Sequence, residues 1–125
     1  MTYNRMEAPE KAVRYLQKAF VIDQEMEDER GMGLRLGNMG VVYAGMGKVQ
    51  EAIDAYNEAF ELHQEIGYLQ GAATWAWNLG EYYAAVGNNE MAIYFMQITV
   101  DFEQSVGHPN AQADAQVLAQ LRQKI

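Results

Sequence analysis

The chain is predicted to be all-α, a solenoid of stacked helical hairpins with about six helices. Three observations predict this. Asn38, Met39, Gly40, Tyr43, Ala44 and Gly47 reappear as Asn78, Leu79, Gly80, Tyr83, Ala84 and Gly87, a constant shift of 40 residues. A fixed period of that size marks a stacked-repeat architecture. Around these marks, apolar residues recur at three- and four-residue spacings, the signature of amphipathic helices. Half of the 125 residues are apolar and none is cysteine, so a core must form without disulfide or zinc-thiolate staples.

The first helix is predicted from Pro9, suited to a first helical position, to about Asp28, with Ala12, Val13, Leu16, Ala19, Phe20 and Asp23 in one stripe. Its end is densely acidic from Asp23 to Glu29, where the helix dipole disfavours negative charge; a solvated face is the expected reading. The 40-residue shift maps Tyr3 onto Tyr43 and Met6 onto Met46, so the chain is expected to begin partway through a repeat.

Gly31 to Gly45 is predicted as the second helix despite its glycines, each of which costs about 1 kcal/mol relative to Ala in a helix interior. Close approach of a neighbouring helix at Gly40 and Gly80 supplies the compensation. Gly47 stops this helix. Val49 to Ile66 is the third, with Ala52, Ile53, Tyr56, Ala59, Phe60 and His63 in one stripe and acidic residues opposite. Gly67 to Gln70 links to a fourth helix, Gly71 to Val86. The fifth, Glu90 to Val106, repeats the third's register with Ala92, Ile93, Met96, Val100 and Glu103. Ala111 to Ile125 is the last, a cap in which the repeat marks fade. The domain thus divides into a partial repeat over 1–29, full repeats over 30–69 and 70–109, and a capping helix over 110–125.

The run Leu36, Met39, Gly40, Tyr43, Ala52, Tyr56 and Ala59 resembles the tetratricopeptide repeat, and Ala76, Leu79, Gly80, Tyr83, Ala92, Met96 and Thr99 form a second copy that departs at Ala76, Met96 and Thr99. The 40-residue period is similar to the longer variety found in kinesin light chain, in spindle-orientation adaptors and in bacterial signalling proteins. The resemblance implies a protein-interaction module that holds a peptide or partner helix in a concave groove lined by the inner helices. It assigns the groove to Leu34, Gly37, Asn38, Val41 and Gly45 on one helix, and to Thr74, Trp77, Asn78, Glu81 and Ala85 on the next. Asn38 and Asn78 would hydrogen-bond a ligand's backbone, since one amide is both donor and acceptor. Trp77 would be an anchor, Trp75 a packing residue. The cationic clamp for a C-terminal carboxylate is missing from these places, and Arg35, one residue off the stripe, is expected in a surface ion pair.

Seventeen acidic against nine basic residues give a formal charge of −8, which repels nucleic acid and anionic lipid. Apolar runs are too short to span a bilayer, and residues 1–9 lack a signal-peptide core, so a cytoplasmic location is expected. His63 and His108 sit in different repeats without a paired carboxylate or third ligand, and Ser105 is the only serine, so neither catalysis, a metal nor a cofactor is expected. His63 is read as a packed, satisfied core residue. Met32, Met39, Met46, Met91 and Met96 recur at core spacings. Two alternative functions remain: a self-assembling piece joined through exposed terminal helices, and a ligand-sensing module of a larger signalling protein.

Overall fold

In the computed structural model, which describes residues 7–125, six helices follow one another: α1 (Glu7–Glu25), α2 (Glu29–Gly45), α3 (Val49–Glu65), α4 (Leu69–Ala85), α5 (Asn89–Val106) and α6 (Ala111–Arg122). Tyr3 and Met6, used above to place the start of the repeat, lie outside the described residues. Each helix packs on its neighbours in the chain, and α2 also touches α4 directly. Helices α2 and α4 therefore form an inner row and α1, α3 and α5 an outer one, which is the hairpin solenoid predicted from the period.

Helices α1 to α5 end in one shared way. Glu27, Gly47, Gly67, Gly87 and Gly107 all adopt positive φ, between 57° and 87°. The next residue's N–H then reaches back five residues, from Asp28 to Asp23, Tyr68 to His63, and His108 to Glu103, each at 2.8 Å. These are six-to-one helix-terminating bonds that satisfy carbonyls the helix leaves open. Gly fits this conformation without a Cβ penalty. Glu27 adopts it as the one non-glycine among the described residues.

This geometry also corrects several boundaries. Helix α1 stops at Glu25 instead of near Asp28, because the turn needs Glu27. Asp28 instead caps α2, its carboxylate accepting from the Gly31 N–H at 2.9 Å. Leu69 and Gln70 belong to α4, so the link is shorter than predicted; α6 ends at Arg122.

The core runs along the stack. Ala52, Ala59, Ala76, Leu79 and Ala92 are fully buried beside Tyr56, Phe60, Trp75 and Phe95. Burying Leu79 completely contributes about 1.5–3 kcal/mol. The glycines at the marked places do work as contact points: a Cβ on Gly40 would lie 2.7 Å from the Tyr56 ring, and one on Gly80 would lie 2.5 Å from Met96 and 3.1 Å from the Ala92 carbonyl. Helices α2 and α3, and α4 and α5, thus approach closely enough to offset poor helix propensity. Of the residues assigned to the core, Leu36, Tyr43 and Tyr83 are only half-buried, although Tyr83 stacks on Phe95 at 5.9 Å between centroids. Among the methionines, Met39 and Met96 are buried; Met32 and Met46 are half-buried, and Met91 is exposed, because its place on α5 faces solvent.

Candidate functional site

The inner helices present a repeating set of side chains. Leu34, Val41, Thr74 and Glu81 are exposed, and Asn38, Trp77 and Asn78 are half-buried. Val41, Asn78 and Glu81 meet across α2 and α4 in one depression of about 350 Å³, with Tyr56 and Tyr82. Leu34 and Thr74 meet over a second, about 360 Å³, which also touches His63 and Trp75. Thr74, Trp77 and Asn78 form one wall of a third, about 280 Å³, whose other wall includes Glu103 and Asp114. Asn38 lines none of these three. The amides of Asn38 and Asn78 make no hydrogen bond to another described residue. The Thr74 hydroxyl is occupied within its own helix, donating to the Gln70 carbonyl at 3.0 Å. Trp77 packs against the apolar cluster of α5 and α6 while keeping an edge in the third cleft.

Gly37 is removed from the groove. It is buried, and a Cβ there would lie 2.2 Å from the Trp75 indole. The bare backbone of α2 admits that ring from α4, which is how the two inner helices touch.

A row of buried polar residues, Asp23, His63 and Glu103, lies near the ends of the outer helices α1, α3 and α5. His63 is 1% exposed. Its Nδ1 accepts from the Trp75 indole N–H at 3.1 Å, so its Nε2 carries the proton and donates to the Arg30 carbonyl at 2.9 Å. Gly33 and Gly71 flank the imidazole; a Cβ on either would come within 2.2 Å of it. The Tyr68 ring meets its edge, and the Arg30 guanidinium lies 4.0 Å over that tyrosine. Every polar atom of His63 is thus used in packing.

Asp23, read from sequence as part of a solvated acidic face, is buried instead, because Arg35 Nε donates to its carboxylate at 3.0 Å. Glu25, Glu27, Asp28 and Glu29 are exposed as expected. Arg35 makes the ion pair foreseen for it, although it also lines the depression shared by Leu34 and Thr74. Thr99, a departure from the repeat pattern, donates to the Ala73 carbonyl at 2.7 Å and so ties α5 to α4.

Glu103 is the exception in this row. It is 6% exposed, and its Oε1 is buried without a hydrogen-bond partner among the described residues. Its Oε2 lies 3.5 Å from His108 Nδ1, but that nitrogen accepts the Asn110 N–H at 3.0 Å and so is the unprotonated one. Burial, then hydrogen bonding and charge repulsion from the Asp114 carboxyl, push Glu103 up to about 7. A row of buried polar groups was not inferred from the sequence. The signal present was the polar residue closing each outer-helix stripe, Asp23, His63 and Glu103.

Stacked antiparallel helix pairs in an inner and an outer row define a helical-repeat protein. Residues 32–100 match the family model described as tetratricopeptide repeat, more than half of the chain, and the chain belongs to that family. Proteins with this fold generally mediate protein–protein interaction. None of the curated proteins compared with it matches the chain. Among solved structures it is similar to the crystal structure of BtubC (BKLC) from P. vanneervenii, at 18% identity and a TM-score of 0.68 over 98% of this chain. It spans 59% of the length of that protein, and the likeness is one of fold. No described helix is long and apolar enough to cross a membrane.

Proposed function

We propose that the chain is a protein-interaction module that holds an extended peptide or a partner helix on the face formed by α2 and α4. The observation that carries this reading is the pair Asn38 and Asn78, one repeat apart on neighbouring inner helices, both amides free of partners among the described residues. An amide offers one donor and one acceptor group, so two at a fixed spacing can pair with a ligand's main chain regardless of its sequence. Leu34 and Val41, 44% and 49% exposed, add apolar contact, and Trp77 a partly covered aromatic edge. A peptide-array screen tests this: Asn38→Ala with Asn78→Ala is expected to reduce binding at least tenfold with helicity by circular dichroism retained. Unchanged binding would end the reading.

A second reading, assembly through an end of the stack, rests on α1 and the turn after it, where Tyr15 and Ile22 on the helix and Met26 in the turn are 67%, 54% and 73% exposed. Such a patch favours a partner helix or second copy. Light scattering at micromolar concentration decides it, a strict monomer ruling it out.

A further inference from the structure

Asp23, His63 and Glu103 occupy one structural position, 40 residues apart, each buried and each closing the apolar stripe of an outer helix. The local frame is the same in all three, since the residue five places on returns its N–H to the carbonyl at 2.8 Å every time. Twelve residues beyond stand Arg35, Trp75 and Ala115. In the first case a guanidinium N–H donates to the buried acceptor at 3.0 Å, and in the second an indole N–H does so at 3.1 Å. Alanine has nothing to donate. The third acceptor is left open, and Glu103 Oε1 has no partner among the described residues.

What surrounds that oxygen makes the vacancy chemically specific. Asp114, from α6, brings a second carboxyl to the same cleft, and α4 contributes only the neutral Gln70, Thr74 and Asn78 among its polar groups. His108, from the intervening turn, has its Nδ1 lone pair taken by the Asn110 N–H and so donates nothing to Glu103 from that nitrogen, 3.5 Å away. No lysine or arginine lines the cleft, and Thr74, Trp77 and Asn78 are shared between it and the groove face. Two carboxyls suit the planar fork of a guanidinium. At about 280 Å³ the cleft has room for a side chain rather than a large cofactor. The described residues include no cluster of three or more metal-ligating side chains. The net charge of −8 likewise draws a basic ligand.

We propose that this cleft is a subsite for an arginine side chain of the bound peptide, whose guanidinium pairs with Glu103 and Asp114 as that of Arg35 pairs with Asp23. The proposal rests on the groove reading above, to which it adds a chemical preference. A guanidinium favours the charged carboxylate and so displaces the proton of Glu103, which burial first and the neighbouring Asp114 second raise to about 7.

The probe is N-acetyl-arginine amide, compared with its neutral isostere N-acetyl-citrulline amide, titrated at pH 8 against labelled protein by nuclear magnetic resonance. Saturable shifts are expected at Glu103, Asp114 and the Trp77 indole N–H, at least tenfold weaker for citrulline, and weakening as pH falls through about 7. Glu103→Gln should weaken arginine binding at least tenfold. Ala115→Arg supplies the missing donor within the chain and should abolish binding while raising the melting temperature. Equal response to arginine and citrulline, or binding unchanged in both variants, overturns the subsite. So does saturation by magnesium or calcium where arginine fails. If peptides bind the wild-type array and the asparagine double variant loses them, yet arginine amide shows no preference, the groove stands and the subsite alone falls. Arginine selectivity with array binding insensitive to the asparagine changes does the reverse.

Discussion

Trp75 donates its indole N–H to His63 Nδ1 at 3.1 Å, joining the inner helix of one repeat to the outer helix of the one before. The same indole lies on the bare backbone of Gly37. One side chain therefore fixes a histidine tautomer and sets how closely α2 and α4 approach. Trp75→Phe keeps most of the ring and removes the donor, leaving a buried imidazole nitrogen unpaired. A loss of about 1–3 kcal/mol in urea unfolding is expected, with helicity retained.

Glycines in α2 divide into two kinds that react oppositely to alanine. At Gly33 a Cβ would lie 2.2 Å from the buried His63 ring, whereas Gly45 has nothing within 4 Å. Gly33→Ala should destabilise by about 1–3 kcal/mol, as overpacking does. Gly45→Ala should be neutral or stabilise by roughly 0.5 kcal/mol through helix propensity. Denaturant midpoints of the two variants check the opposition in sign.

Glu27 occupies, at φ 57°, the helix-terminating position that glycine fills in the four other turns. A left-handed conformation costs a non-glycine residue about 1–2 kcal/mol. Glu27→Gly is expected to stabilise the fold by about 1 kcal/mol, seen as a raised melting temperature; a lowered one would contradict the assigned turn.

Glu103 gives the domain a pH-dependent weakness. Its folded pKa, about 7, lies above the ordinary carboxyl value, so the folded state holds the proton more tightly than the unfolded chain. That contribution is fully present below the unfolded value near 4.5 and is lost as pH rises through about 7. Glu103→Gln cannot titrate. The stability of wild type relative to this variant should therefore fall between pH 4.5 and 7 and level off above, measured by urea unfolding at each pH.

The groove illustrates how legibility divides. Leu34, Val41, Thr74 and Glu81 were assigned to an open face by the resemblance to the repeat family, and they are exposed. Gly37 was assigned there by the same resemblance and is covered, because Trp75 crosses from the next inner helix. Spacing specifies a direction around one helix axis, but not what another helix brings to it. Tyr43 shows the same limit, half-buried where its repeat position suggested the core.

By itself the sequence determined the all-α solenoid, the 40-residue period and the glycine contacts at Gly40 and Gly80. These follow from local periodicity repeated in register, and each copy reinforces the same answer. The tertiary structure decided the fate of the polar residues that close each outer stripe. Asp23, His63 and Glu103 are equivalent in the repeat, yet the first pairs with a guanidinium, the second with an indole, and the third is left with a second carboxyl. A buried polar group is worth what its partner makes it, and each partner stands across a turn on the next helix, where only packing can bring the two together.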